Sequence, residues 1–244
     1  MTDDWQGTHD WGALTRAQIA AARDAGALPV LTVGSVEQHA DHLPVDTDTL
    51  SAYRMALAAA QRCPAPHVLV LPPPSFGFSP HHRAWAGTIT LSLETFVGLV
   101  TDVAESLQRT GFKRLLIVNG HGGNIAALSR AVGRLRFEGR DVAWCPCVVA
   151  GGDAHAGHAE TSVLLHISPA EVLTDQWRAG NGAPLPDLLP SMRRGGVAAV
   201  SEVGVLGDPT TATAAEGERM LAEMVDDCLR RIGRWAPAAD GMLT

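Results

Sequence analysis

A three-layer α/β/α fold built on a mostly parallel sheet is what this sequence predicts, and three observations carry the prediction. Short apolar runs rich in β-branched residues alternate with longer amphipathic stretches. The short runs are apolar at successive positions, as strands covered by helices on both faces must be. With 244 residues and 46% hydrophobic composition, the chain can bury one substantial core, so a single domain over 1–244 is expected.

The strands are expected at Pro29-Val-Leu-Thr-Val33, His67-Val-Leu-Val-Leu71, Arg114-Leu-Leu-Ile-Val118 and Asp141-Val-Ala-Trp-Cys145. Between them, Thr49 to Arg62 is an Ala-rich helix. Leu93 to Arg109 places Phe96, Val100, Val103 and Leu107 at helical spacing before Gly111, and Ile125 to Glu138 ends at Gly139. Three consecutive prolines make 72–80 a stiff loop, because they remove donors that helix or central strand would need. Ala179 to Gly196, dense in proline and glycine, reads as a second long irregular segment or lid. Pro209 to Arg234 reads as a closing helix capped by Thr211 or Thr213.

Composition excludes several functions. The formal net charge is -7 and no long Lys/Arg run is present, so no nucleic-acid partner is expected. No apolar run reaches the roughly 18 residues a membrane helix needs. The acidic start Met1-Thr-Asp-Asp-Trp5 lacks the pattern of a secretory leader, which points to the cytoplasm. The 4 cysteines are expected to be reduced, and Cys145-Pro-Cys147 has the wrong spacing for a thioredoxin-like motif.

Ligands of parallel sheets bind beyond the carboxyl ends of the strands. The first strand runs into Gly34-Ser35-Val36-Glu37 and the third into Asn119-Gly120-His121, so two polar groups share that rim. Further on, His155 and Glu160 form a third group. Imidazole and carboxylate donors on strand ends suit a divalent metal, which supplies both an activated water and an electrophile for amide hydrolysis. Each residue alone has a plainer reading: Asp48 as a helix cap, His39 as a surface imidazole, the Gly-rich turn at His121 as a phosphate loop. Joint occurrence favours the metal.

Gly34-Ser-Val-Glu-Gln-His39 running on to Leu43-Pro-Val-Asp-Thr-Asp48, then Asn119-Gly-His-Gly-Gly-Asn124, then Asp153-Ala-His-Ala-Gly-His-Ala-Glu-Thr-Ser162, resemble in order and spacing the three signature blocks of the creatininase (creatinine amidohydrolase) family. The resemblance implies an α/β/α domain, a homo-oligomer that is often a hexamer, and two divalent ions (Zn, Fe(II) or Mn). Carried over by position, Glu37 and His121 bind one ion, His39 and Glu160 the other, and Asp48 bridges them. A hydroxide shared by the ions would attack the amide carbonyl, with His155 as general acid/base.

Departures are present. The family's namesake has an acidic residue where this sequence has Gly123, and the family's Phe-Pro-Gly-Thr turn is replaced by Trp85-Ala-Gly-Thr88. The tryptophan that flanks creatinine in the family's namesake has no obvious counterpart, so creatinine is not the expected substrate. Leu135-Arg-Phe-Glu-Gly-Arg-Asp141, the stretch from Asp153 to Pro169, Gly195-Gly-Val-Ala-Ala-Val200 and Gly204-Val-Leu-Gly-Asp-Pro209 are similar to the mycofactocin-system branch of the family, which implies removal of a C-terminal Val-Tyr dipeptide from a modified precursor peptide. His81, His82 and Arg83 are candidates for holding a substrate carboxylate, and Trp85 and Asn124 complete the candidate substrate contacts. His42, His158 and His166 are expected to support or pack. The alternatives are an amidohydrolase or deformylase acting on a small cyclic amide or formamide, and a non-catalytic metal- or nucleotide-binding α/β protein.

Overall fold

The computed structural model describes residues 5–244; Met1 to Asp4, most of the acidic start read above as no secretory leader, lie outside the described residues. The sheet has four parallel strands in the order β2-β1-β3-β4, formed by β1 (Leu28–Val33), β2 (Val68–Val70), β3 (Arg114–Asn119) and β4 (Asp141–Pro146). All four predicted strands are present, each within one residue of its expected bounds. In register, Val33 pairs with Asn119 and Asn119 with Pro146, so three strands end along one rim.

Alternation along the strands separates two cores. Val30, Leu116, Val118, Ala143 and Cys145 face α2 (Thr47–Arg62), α5 (His158–Ile167) and α7 (Ala214–Arg234). Leu31, Val33, Ile117 and Trp144 face α3 (Leu93–Arg109) and α4 (Ile125–Phe137). That is the expected helix-sheet-helix layering. An additional helix, α1 (Arg16–Asp24), starts from a Thr15–Gln18 capping box. Ser92 caps α3 and Thr213 caps α7, each accepting from the backbone N–H three residues on.

The segment expected to be irregular over 179–196 contains a helix, α6 (Leu185–Gly195). Its prolines do not prevent it. Pro186 lies in the first turn, where no intrahelical N–H bond is needed, and Pro190 sits on the exposed side. Leu188 and Met192, one turn apart, anchor the helix against Val197 and Leu206. Among the described residues, no helix is long and apolar enough to cross a membrane.

Helices α5 and α7 meet closely because Gly217 has no side chain: a Cβ there would overlap the carbonyl of Ser162. We expect Gly217→Ala to destabilise the protein by about 1–3 kcal/mol through overpacking, read as a lower denaturation midpoint at unchanged m-value. An unchanged midpoint would show that the two helices separate freely.

Candidate metal centre

Two glycines place the first turn of α2 over the strand ends. A Cβ on Gly34 would collide with the backbone of Thr49, and one on Gly120 would lie 2.5 Å from the carbonyl of Asp48. Asp46 occupies the N-cap position and makes no side-chain cap bond, while Asp48 sits inside the first turn. Its carboxylate is therefore free to face the rim instead of capping the helix.

There it meets two imidazoles. Asp48 Oδ1 is 3.2 Å from His39 Nε2, and Asp48 Oδ2 is 3.0 Å from His121 Nδ1. Glu160, from the first turn of α5, brings Oε2 to 3.5 Å from His39 Nε2. Glu37 Oε2 lies 3.3 Å from His121 Nε2. Four chain segments, entered after β1, at the start of α2, after β3 and at the start of α5, thus deliver all five candidate ligands to one place. Three overlapping groups have ligating atoms within 4.8 Å of one another: Glu37, His39 and Asp48; His39, His155 and Glu160; Glu37, His82 and His155.

The groups are held from behind. Ser35 Oγ donates to Asp48 Oδ2 at 2.7 Å, Ser79 Oγ donates to Glu37 Oε2, and the Ala156 N–H donates to Glu160 Oε2 at 2.6 Å. His39 Nδ1 is bonded to the Glu37 carbonyl at 3.1 Å, which turns Nε2 toward the carboxylates. His121 Nε2 is buried without a hydrogen-bond partner among the described residues. Such an orphan nitrogen facing a carboxylate is unusual in a folded interior.

Burial and charge set the protonation pattern. Burial pulls His39 down, but Asp48, Glu160 and Glu37 overcome it and lift the imidazole to about 10. His121, likewise desolvated, is raised to about 9 by Glu37 and Asp48. Burial opposes ionisation of Asp48, yet His39 and His121 hold its carboxyl well below the usual range. Glu37 is pushed up chiefly by burial, and Glu160 likewise to about 7. His155 is forced well below its ordinary value by burial, then by His39 and His82, and is therefore neutral.

The remaining candidates separate. His82 is buried in the centre, with Nε2 at 3.5 Å from Glu37 Oε1, whereas His81 is half-buried and Arg83 exposed. Trp85 is half-buried, and its indole N–H has no partner among the described residues. Asn124 is fully buried and ties loops together: its amide donates to the Gly34 carbonyl at 2.9 Å and accepts from the Phe78 N–H at 2.8 Å. Of the histidines expected to support or pack, His42 is buried against Thr161 at 3.0 Å, His158 pairs with Glu216 at 3.0 Å, and His166 is exposed. Sequence reasoning assigned no role to Ser35, Ser79 or Gln38. Only the position of Gln38 between Glu37 and His39 offered a signal.

Beside the polar cluster opens a cavity of about 340 Å³ whose floor includes Asp48, His121 and Glu160. Ile125, Val148, Leu185 and Met224 give it apolar walls.

The family profile described as creatinine amidohydrolase (creatininase) matches residues 12–232 of this chain. The chain belongs to the creatininase family. A creatininase from Pseudomonas putida, the creatinine amidohydrolase, is 28% identical over 242 residues, covering 86% of this chain and 90% of that protein. A mycofactocin precursor peptide peptidase from Mycobacterium tuberculosis is 55% identical over 240 residues, 96% of this chain and 94% of the relative. Among solved structures, a crystal structure of creatinine amidohydrolase (creatininase) superimposes with a TM-score of 0.80 at 26% identity, covering 95% of this chain and 99% of that one. Other creatininase structures are described as Zn-Zn type and as Mn. The acidic position that creatininase proper has two residues after its Gly-rich histidine has no room for a side chain here. A Cβ on Gly123 would overlap His121 Nε2 and lie 2.7 Å from the Phe78 carbonyl.

Proposed function

We propose that this chain is a metal-dependent mycofactocin precursor peptide peptidase, a single-domain hydrolase that removes the C-terminal Val-Tyr dipeptide from the modified precursor. The observation that carries the reading is the 55% identity to such a peptidase over 96% of the chain, joined to the buried donor cluster at the sheet rim. The donor set fits two divalent ions: Glu37 and His121 for one, His39 and Glu160 for the other, Asp48 between them. The orphaned Nε2 of His121 and the backbone-anchored Nδ1 of His39 support that fit. Glu160, reaching in from α5, supplies the carboxylate that Gly123 does not.

Bound there, divalent ions would supply Lewis acidity and a water that ionises near neutral pH. The chain's own residues do the rest. Ser35 and Ser79 orient the Asp48 and Glu37 carboxylates. His155, neutral and with Nδ1 3.6 Å from Glu37 Oε1, takes up the proton given off by the attacking water and passes it to the leaving nitrogen. The apolar cavity beside Asp48 seats hydrophobic substrate side chains and displaces water from them. Four free cysteines support a place in the reducing cytoplasm, and kinship supports a homo-oligomer.

The test is mass spectrometry of a synthetic precursor peptide ending in Val-Tyr, incubated with protein before and after chelation. We expect the dipeptide mass to appear, to vanish on chelation and to return with Zn or Mn. Undiminished cleavage by fully stripped protein would overturn the metal role. Release of formate or ring opening of a small amide, with the peptide untouched, would select the amidohydrolase alternative.

Metal loading should also release protons. His39 at about 10 and His121 at about 9 are both protonated near neutral pH when metal-free, and each must give up a ring proton to bind. Calorimetric titration in buffers of different ionisation enthalpy should therefore show about two protons released per filled centre near pH 7.5, declining as pH rises through those values. A heat independent of buffer would contradict the assignment.

A further inference from the structure

We infer that Gln38 is a positioning residue that fixes the ring tautomers of His155 and His82, leaving Nδ1 of His155 as the nitrogen that handles the proton. The carboxamide orientation is settled by two obligate partners. Its Oε1 accepts from the Ala40 N–H at 2.9 Å, and its Nε2 donates to the Gly204 carbonyl at 3.0 Å. A flipped amide would set oxygen against a carbonyl and nitrogen against an N–H.

That Nε2 is also 3.0 Å from His82 Nδ1 and 2.9 Å from His155 Nε2, but only one N–H remains to share. The backbone decides between them. His155 Nε2 lies 2.9 Å from the Gln38 carbonyl, which can only accept, so this nitrogen carries a hydrogen and donates. The second amide N–H then goes to His82 Nδ1, which is bare. Neutral His82 holds its hydrogen on Nε2, pointing at Glu37 Oε1 across 3.5 Å, and neutral His155 presents an unprotonated Nδ1 toward the same oxygen across 3.6 Å. The rings are tilted at 56° with centroids 4.4 Å apart, close enough that one amide governs both. Gly204 (φ +78) makes this possible, since a Cβ there would overlap Gln38 Oε1.

The kinetic part of this inference rests on the peptidase reading, and the tautomer part does not. In zinc-loaded protein with isotope-labelled histidine rings, long-range nitrogen–proton NMR correlations should show His155 protonated at Nε2 and bare at Nδ1, its signals assigned by their loss in His155→Gln. The reverse pattern would overturn the inference whether or not any variant folds. For Gln38→Met we expect unchanged metal content, KM within about twofold, kcat lowered about 10- to 100-fold, and a mixture of His155 tautomers. Parent-like kcat, or metal lost in parallel with activity, would refute the positioning role. Failure of the parent enzyme to cleave the peptide would count against the substrate, with the NMR result still deciding the tautomer.

Discussion

Asp48→Ala is expected to lose metal and turnover together. Asp48 stands between the two imidazoles, 3.2 Å from His39 and 3.0 Å from His121, so its removal withdraws a donor from both proposed ion positions. Residues that merely support a ligand cost roughly 10- to 100-fold when replaced, so loss of a shared ligand should exceed about 100-fold in kcat/KM. Elemental analysis should show both ions depleted. The metal-free variant should also titrate differently, because the principal anion raising His39 is gone and His121 keeps Glu37 but loses Asp48. Their ring pKa values should fall, in the direction burial dictates. A variant retaining both ions and most of its activity would remove Asp48 from the centre.

His155→Gln is the complementary case. Its ring packs at 4.4 Å from His39, yet its proposed part is to carry a proton, not to hold an ion. Metal content should therefore match the parent, while kcat drops by about 10²–10⁴-fold, the range for losing a general acid/base. KM should change little, since the cavity walls at Ile125, Val148, Leu185 and Met224 are untouched. Loss of one ion in this variant would instead make His155 a ligand, in keeping with its place in two of the three donor groups.

Much of this was legible along the chain. The four strands announced themselves by β-branched runs, and the rim residues followed because a strand's end is a local property. Glu37, His39, His121 and His155 lie in small-residue loops, and Asp48 and Glu160 at the helix starts that follow such loops, in an order that is distinctive. Helix α6 was hidden by Pro186 and Pro190, since local proline content said nothing of the partner that Leu188 and Met192 would find. His82 looked like a loop residue because it follows a proline-rich stretch and precedes Arg83, an exposed group; its burial depends on packing against Glu37, more than forty positions away in sequence. Gln38 was visible only as the middle letter of a motif, because its bonds reach residues 40, 82 and 204.

The glycines under α2 bear on maturation. Since Asp48 reaches its post only when the helix start is seated on Gly34 and Gly120, and Glu160 arrives on α5 after β4, no nascent fragment ending before α5 offers the whole proposed donor set. Capture of the proposed ions would thereby wait until α5 has docked, and the choice among competing cations would fall to a finished cage instead of a loose chain of donors.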